Sequence, residues 1–161
     1  MQKAECDVLV IGCGSGGIGA AIGAAERGAK VIIIDKNQVP GGVVSMSWVH
    51  NWEPTCGNAP ITRKLWSRMQ SYSLGAAMMD FSISSRNEFG GKNPTMPCEL
   101  WAYQRAVFAE CNQFENLKFI NGMRLVSSRF DGRKIHSITC SNGNVELEIS
   151  AKCYVDATGD I

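Results

Sequence analysis

Residues 7–17, DVLVIGCGSGG, constrain the fold more than any other stretch of this chain. Residues 8–11 are a short continuous apolar run, the pattern of a strand covered on both faces. The run enters a turn in which Gly12, Gly14 and Gly17 hold the G-x-G-x-x-G spacing. In such a turn the first glycine allows the tight bend. The second lets the backbone approach a phosphate, and the third lets the next helix pack close to the strand. Residues 18–27 read as a helix rich in small side chains, and Gly28 suits the position just past its end. The start of that helix offers free N–H groups and a partial positive charge to an anion.

A bare G-x-G-x-x-G is weak, because glycine-rich turns are common, and a βαβ unit can carry one that binds nothing. Here the context strengthens it. Val31–Ile34 is a second apolar run, closed by Asp35. An acidic residue roughly 20 positions beyond the turn is placed to accept hydrogen bonds from an adenosine ribose. Strand, turn, helix, strand and carboxylate in this order predict a dinucleotide site.

Composition narrows the remaining classes. A chain of 161 residues can form one domain with a real core. Its 16 basic and 15 acidic side chains are mixed along the sequence, unlike the basic footprint of a nucleic-acid binder. No apolar run approaches the ~20 residues of a membrane span. The N-terminus leads directly into the first strand, with no room for a signal peptide. The seven cysteines form no C-x-x-C pair and show no metal-ligand spacing. They read as free thiols in a reducing compartment, so a cytoplasmic protein without a metal site is expected. Cys13, inside the turn, reads as a small apolar filler, with a redox role as the alternative.

Further along, Pro40-Gly41-Gly42 marks a turn whose glycines could approach a ligand extending past the first helix. Residues 43–58 have no clear period but carry Trp48, His50, Asn51, Trp52, Glu53 and Cys56. Such a loop is either functional or simply stapled by its two tryptophans. Ile61, Leu65, Trp66, Met69 and Tyr72 follow helical spacing after Pro60, and residues 82–97 read as an irregular excursion. A further helix has Leu100, Gln104, Val107, Phe108 and Cys111 as its expected inner stripe. Leu117–Ile120 reads as a strand. Three more strands follow at 124–130, 134–140 and 144–150, separated by the hairpin signals Asp131-Gly132 and Asn142-Gly143. A last strand covers 153–156.

The glycine turn, Asp35, Gly41-Gly42 and the later Val155-Asp156-Ala157-Thr158-Gly159-Asp160 resemble the FAD-dependent oxidoreductases with a glutathione-reductase-like FAD-binding fold. The resemblance implies an α/β, Rossmann-like FAD-binding domain: a parallel sheet with an inserted antiparallel three-stranded β-meander at 124–150, and a helical and loop insertion at 43–114. It implies that Gly12, Gly14, Ser15, Gly16 and Gly17 hold the FAD pyrophosphate. Asp35 would bind the adenosine ribose, although the family more often has Glu there. Lys36 would lie near the adenine end, and Gly41 and Gly42 beside the ribityl or phosphate region. Leu125 would meet the adenine through its backbone, and Ala157, Thr158 and Gly159 would pass close to the cofactor.

Family members continue well past this motif into a substrate domain. The chain is therefore expected to be incomplete as an enzyme, with a partner chain or a further C-terminal region facing the small-molecule substrate. His50 is the best candidate in the chain for proton transfer or flavin contact, since imidazole titrates near neutral pH. His136 reads as structural. The expected function is flavin-mediated redox chemistry on an unidentified substrate. An NAD-binding dehydrogenase domain and a non-catalytic cofactor-binding subunit are the alternatives.

Overall fold

The apolar run before the glycine turn becomes the second half of a longer strand, β1 (Gln2–Ile11). The computed structural model describes residues 1–52, 59–76 and 96–159. From β1 the chain passes into helix α1 (Ser15–Glu26) and strand β2 (Val31–Ile34). Next come a one-turn helix α2 (Val43–Met46), strand β3 (Asn51–Trp52), helix α3 (Pro60–Ser71), strand β4 (Met96–Pro97) and helix α4 (Leu100–Cys111). Strands β5 (Leu117–Ile120), β6 (Arg124–Asp131), β7 (Lys134–Ser141) and β8 (Glu146–Asp156) complete the described chain. Two compact units result, one from residues 1–42 and 111–161, the other from 43–110.

The first unit is one six-stranded sheet in the order β5-β2-β1-β8-β7-β6. The strands β5, β2, β1 and β8 run parallel, and β8, β7 and β6 form the antiparallel end. The expected fold class is observed. One detail differs: the third meander strand and the final parallel strand are a single 11-residue strand. The cause is the length of β1. Its first half also finds a partner, in one register from Gln2 with Leu147 to Ile11 with Asp156. Polar Lys3, Glu5 and Lys152 hide this from a search for apolar runs.

All four residues of β2 are buried, as its unbroken Val-Ile-Ile-Ile run requires. Side chains alternate across the sheet. Ile32 and Ile34 join Leu9 in a core completed by Met123, Ile138, Cys140, Leu147 and Ile149. This core therefore runs along one face of the sheet, from the parallel strands into the antiparallel end. The other face carries Val10, Val31 and Ile33, and α1 packs on the sheet with Ile18, Ala21, Ile22 and Ala25 buried. Burial of each larger aliphatic side chain contributes about 1.5–3 kcal/mol.

Helix α1 starts three residues earlier than its first apolar residue suggests, because Ser15, Gly16 and Gly17 form its opening turn. Its end is as read. Gly28 adopts φ +82, its N–H bonds to the Ala25 carbonyl at 2.9 Å, and Ala29 N–H bonds to the Ala24 carbonyl at 3.2 Å. This is a Schellman closure, and it needs the left-handed backbone that glycine adopts most easily.

In the second unit, α3 begins at Pro60 and buries Leu65 and Met69, as its spacing predicts. Helix α4 is rotated from the expected stripe. Ala102, Tyr103, Ala106, Val107, Glu110 and Cys111 are buried, whereas Leu100, Gln104 and Phe108 are only partly covered. Small Ala102 and Ala106 allow close approach, and Glu110 is buried because Arg68 pairs with it. The residues 43–58, expected to be irregular, contain α2 and β3, and β3 pairs antiparallel with β4. The rest of that loop, 53–58, and most of the 82–97 excursion lie outside the described residues.

Several carboxylates tie the sheet together. Lys152 and the Lys30 amide hold the Asp7 carboxyl below its usual range, with distances of 2.7 Å for both contacts. Ser137 and Lys3 do the same for Glu148. In the folded chain these groups resist protonation, while in the unfolded chain they take up protons near pH ~4. The stabilisation is present above that pH and is lost as pH falls through the lower folded values. The melting temperature should therefore drop between pH 5 and pH 3, and less steeply in Asp7→Asn. A wild-type melting temperature that stays flat over this interval would contradict the assignment.

Candidate functional site

The C-terminal ends of β1, β2 and β8 converge on the glycine turn. Gly12 continues the ladder by donating its N–H to the Ile34 carbonyl at 2.8 Å. On the other side, Ala157 N–H bonds to the Ile11 carbonyl at 2.8 Å. The turn is packed so closely here that side chains are excluded. A Cβ on Gly12 (φ +102) would lie 2.4 Å from the Ala157 carbonyl oxygen, and one on Gly17 would lie 1.9 Å from the Gly12 carbonyl oxygen.

Gly14 and Gly16 are different. A Cβ on either would meet nothing within 4 Å. Gly14 has φ −79, a conformation open to any residue. Nothing in the protein's own packing demands glycine at these two positions, so the open space in front of them is where a ligand would have to approach. Gly14 is also the N-cap of α1, it makes no side-chain cap, and the first helical turn holds no acidic residue. The orphan amides at the helix start are thus left for an anion. Ser15 and Gly16 are exposed at that opening.

Two further segments close on the turn. Gly41 N–H bonds to the Cys13 carbonyl at 2.8 Å, and a Cβ on Gly42 (φ +54) would sit 2.9 Å from Gly14 Cα. Asp35 is 7% exposed, and its carboxylate accepts from Cys13 N at 2.6 Å and Asn37 N at 2.7 Å. Its position beside the turn is therefore fixed by the turn itself. Each carboxylate oxygen retains a second lone pair for another donor. Lys36, next in sequence, is exposed. Leu125 is exposed on β6, two residues after Met123, whose N–H bonds to the Asp35 carbonyl at 2.8 Å. Beyond β8, Thr158 and Gly159 are exposed, and Asp156 accepts from both the N–H and the hydroxyl of Thr158, which holds its carboxyl below the usual range.

The structure thus brings Gly12, Gly14, Ser15, Gly16, Gly17, Asp35, Gly41, Gly42, Ala157 and Thr158 together at the C-terminal ends of β1, β2 and β8. His50 belongs to the other unit, where its ring is exposed and its carbonyl accepts from Cys98 N at 2.7 Å. Cys13 is 1% exposed, and burial, with Cys111 and Asp35 nearby, pushes its thiol far above the ordinary range. A thiol held protonated is a poor nucleophile, which favours the filler reading. Sequence reasoning missed Asn121 and Gly122, which close on the segment after Asp35. Their Asn-Gly dipeptide at the end of β5 was the available signal.

A groove of about 830 Å³ on this unit lies elsewhere, beside Lys3, Lys30, Asn116, Phe119 and Val145. It has no helix N-terminus and no glycine cradle. Among the described residues no cluster of side chains could hold a metal ion, and no helix is long and apolar enough to cross a membrane.

A parallel sheet with a glycine cradle at the start of α1 and a carboxylate after β2 defines a dinucleotide-binding domain of the Rossmann type. Residues 7–160 match the sequence model of the FAD dependent oxidoreductase family, and the chain belongs to that family. FAD is therefore its cofactor, which decides between the two nucleotides considered above. The cradle fits it: open space faces Gly14 and Gly16, and uncapped amides face the same opening. Hydroxyneurosporene desaturase of Rhodobacter capsulatus is 50% identical over 41 residues, which are 26% of this chain and 8% of that protein. GidA of Aquifex aeolicus matches in fold with a TM-score of 0.66 at 20% identity, covering 96% of this chain and 26% of that one. The 3-ketosteroid-delta4-(5alpha)-dehydrogenase of Rhodococcus jostii RHA1 gives 0.64 at 15% identity, covering 99% of this chain and 47% of that one. The chain thus spans only a small part of the curated relatives it matches.

Proposed function

We propose that the unit formed by residues 1–42 and 111–161 holds FAD for electron transfer to or from a small-molecule substrate. The carrying observation is the pair of glycines, Gly14 and Gly16, that the fold itself does not require. Bound FAD supplies the redox chemistry, and the protein supplies binding, orientation and exclusion of water. In this reading the amides of residues 14–17 receive the pyrophosphate. Asp35 accepts from the ribose hydroxyls, and Lys36 and the Leu125 backbone flank the adenine. Gly41, Gly42 and the segment 157–159 line the path toward the ribityl chain.

Residues facing the substrate come in part from a region or partner outside this sequence, a reading supported by the small share of its relatives that the chain spans. His50 is the candidate here for proton transfer or flavin contact. His50→Asn should slow flavin reduction by substrate without changing FAD affinity, and an unchanged reduction rate would remove His50 from the reaction. A cytoplasmic location is supported by the six described cysteines, all of them free thiols.

Asp35→Ala tests the adenosine end. It removes the ribose acceptor and also releases Cys13 N. FAD affinity should fall about 10- to 100-fold, the worth of about 1.5–3 kcal/mol for hydrogen bonds to a charged group. Fluorescence titration of FAD measures it. An unchanged dissociation constant would take Asp35 out of the site.

A further inference from the structure

The segment that follows Asp35 is held from outside. Asp35 N–H bonds to the Ile120 carbonyl at 3.2 Å, and its own carbonyl accepts from Met123 N at 2.8 Å. Gly122 N–H bonds to the Asn37 carbonyl at 3.0 Å. Gly122 has φ +67, a left-handed backbone that favours glycine, and a Cβ there would come within 2.5 Å of the Gln38 side-chain amide. Asn121 supplies the side-chain part. Its Nδ2 donates to the Gln38 carbonyl at 2.6 Å and lies 3.4 Å from Gln38 Oε1. Residues 35–38 form no helix or strand of their own. Their conformation is therefore set by this clasp, together with the Asp35 carboxylate bonds to Cys13 and Asn37.

We propose that Asn121 is a positioning residue for the adenosine end of FAD. It touches no ligand. It fixes residues 35–38 so that the Asp35 carboxylate meets the ribose while still bracing the phosphate turn through Cys13 N. The inference rests on the reading that Asp35 serves the ribose.

ADP, which carries the adenosine and pyrophosphate without the flavin, is the probe, and calorimetric titration is the measurement. Asn121→Ala should raise the ADP dissociation constant about 3- to 10-fold, the effect of one modest hydrogen bond. Asn121→Asp, which keeps the shape and loses the donor, should do at least as much. In an Asp35→Ala background the same Asn121→Ala change should cost less than about 2-fold, because sites that act through one another are not additive. An equal loss in both backgrounds, or no loss in the wild-type background, overturns the proposal. Failure of the wild-type protein to bind ADP would instead defeat the assignment of the site itself.

Discussion

Gly14→Val should give a folded protein that binds no measurable FAD. In the protein alone, position 14 has a backbone conformation that valine can adopt, and its Cβ would meet nothing within 4 Å. Folding therefore has little reason to object. The isopropyl group instead fills the opening in front of the uncapped amides of α1, where the pyrophosphate must lie against the backbone. Loss of those amide contacts, which are hydrogen bonds to a charged group at about 1.5–3 kcal/mol each, amounts to a fall of at least ~100-fold in affinity. Thermal melting without ligand and FAD titration separate the two effects. Gly14→Val that holds flavin normally would count against the site. So would one that fails to fold, because the opening would then be packed by the protein itself.

Gly17→Val has the opposite signature. A Cβ at this position would lie 1.9 Å from the Gly12 carbonyl oxygen and 3.3 Å from the Ala157 side chain. The first contact is to backbone, so no side-chain rotation relieves it. Either the turn opens or α1 moves off the strand, and both disturb the core on which Ile18 and Ile22 sit. Overpacking of this kind costs about 3 kcal/mol or more. In a chain of this size that is a fall of about 6–12 °C in melting temperature, or insoluble expression. A Gly17→Val protein that melts like wild type would show that the close approach of helix and strand is not as described.

The same contrast separates what is local in the sequence from what depends on distant contacts. The spacing Gly12, Gly14, Gly17 was legible as one motif, yet its members do different work. Gly12 and Gly17 are required by contacts between β1, α1 and β8, whereas Gly14 faces open space. The motif already assigns these separate roles; the structure adds the partners, the Ala157 backbone against Gly12 and the Gly12 carbonyl against Gly17. The strand β2 and the ends of α1 and α3 were legible for local reasons: an unbroken apolar run, a glycine at C′, a proline at N1. The first half of β1 was not, because its polar residues become strand only through pairing with β8. The face of α4 was also misread, since alanines carry little apolar weight and Glu110 is buried by a partner, Arg68, on another helix. Asp35 is expected to be a ligand group from its distance to the turn. Its bonds to Cys13 and Asn37 add a structural role that no spacing rule contains.

The central claim is that FAD sits on the glycine turn. Amide NMR of the isotopically labelled protein, titrated with FAD, tests it residue by residue. The largest shifts are expected at residues 12–17, 35–38, 41–42 and 157–159, saturating together at one equivalent of FAD and absent in Gly14→Val. Shifts confined to residues lining the groove beside Lys30, Asn116, Phe119 and Val145, with the glycine turn unmoved, would contradict it.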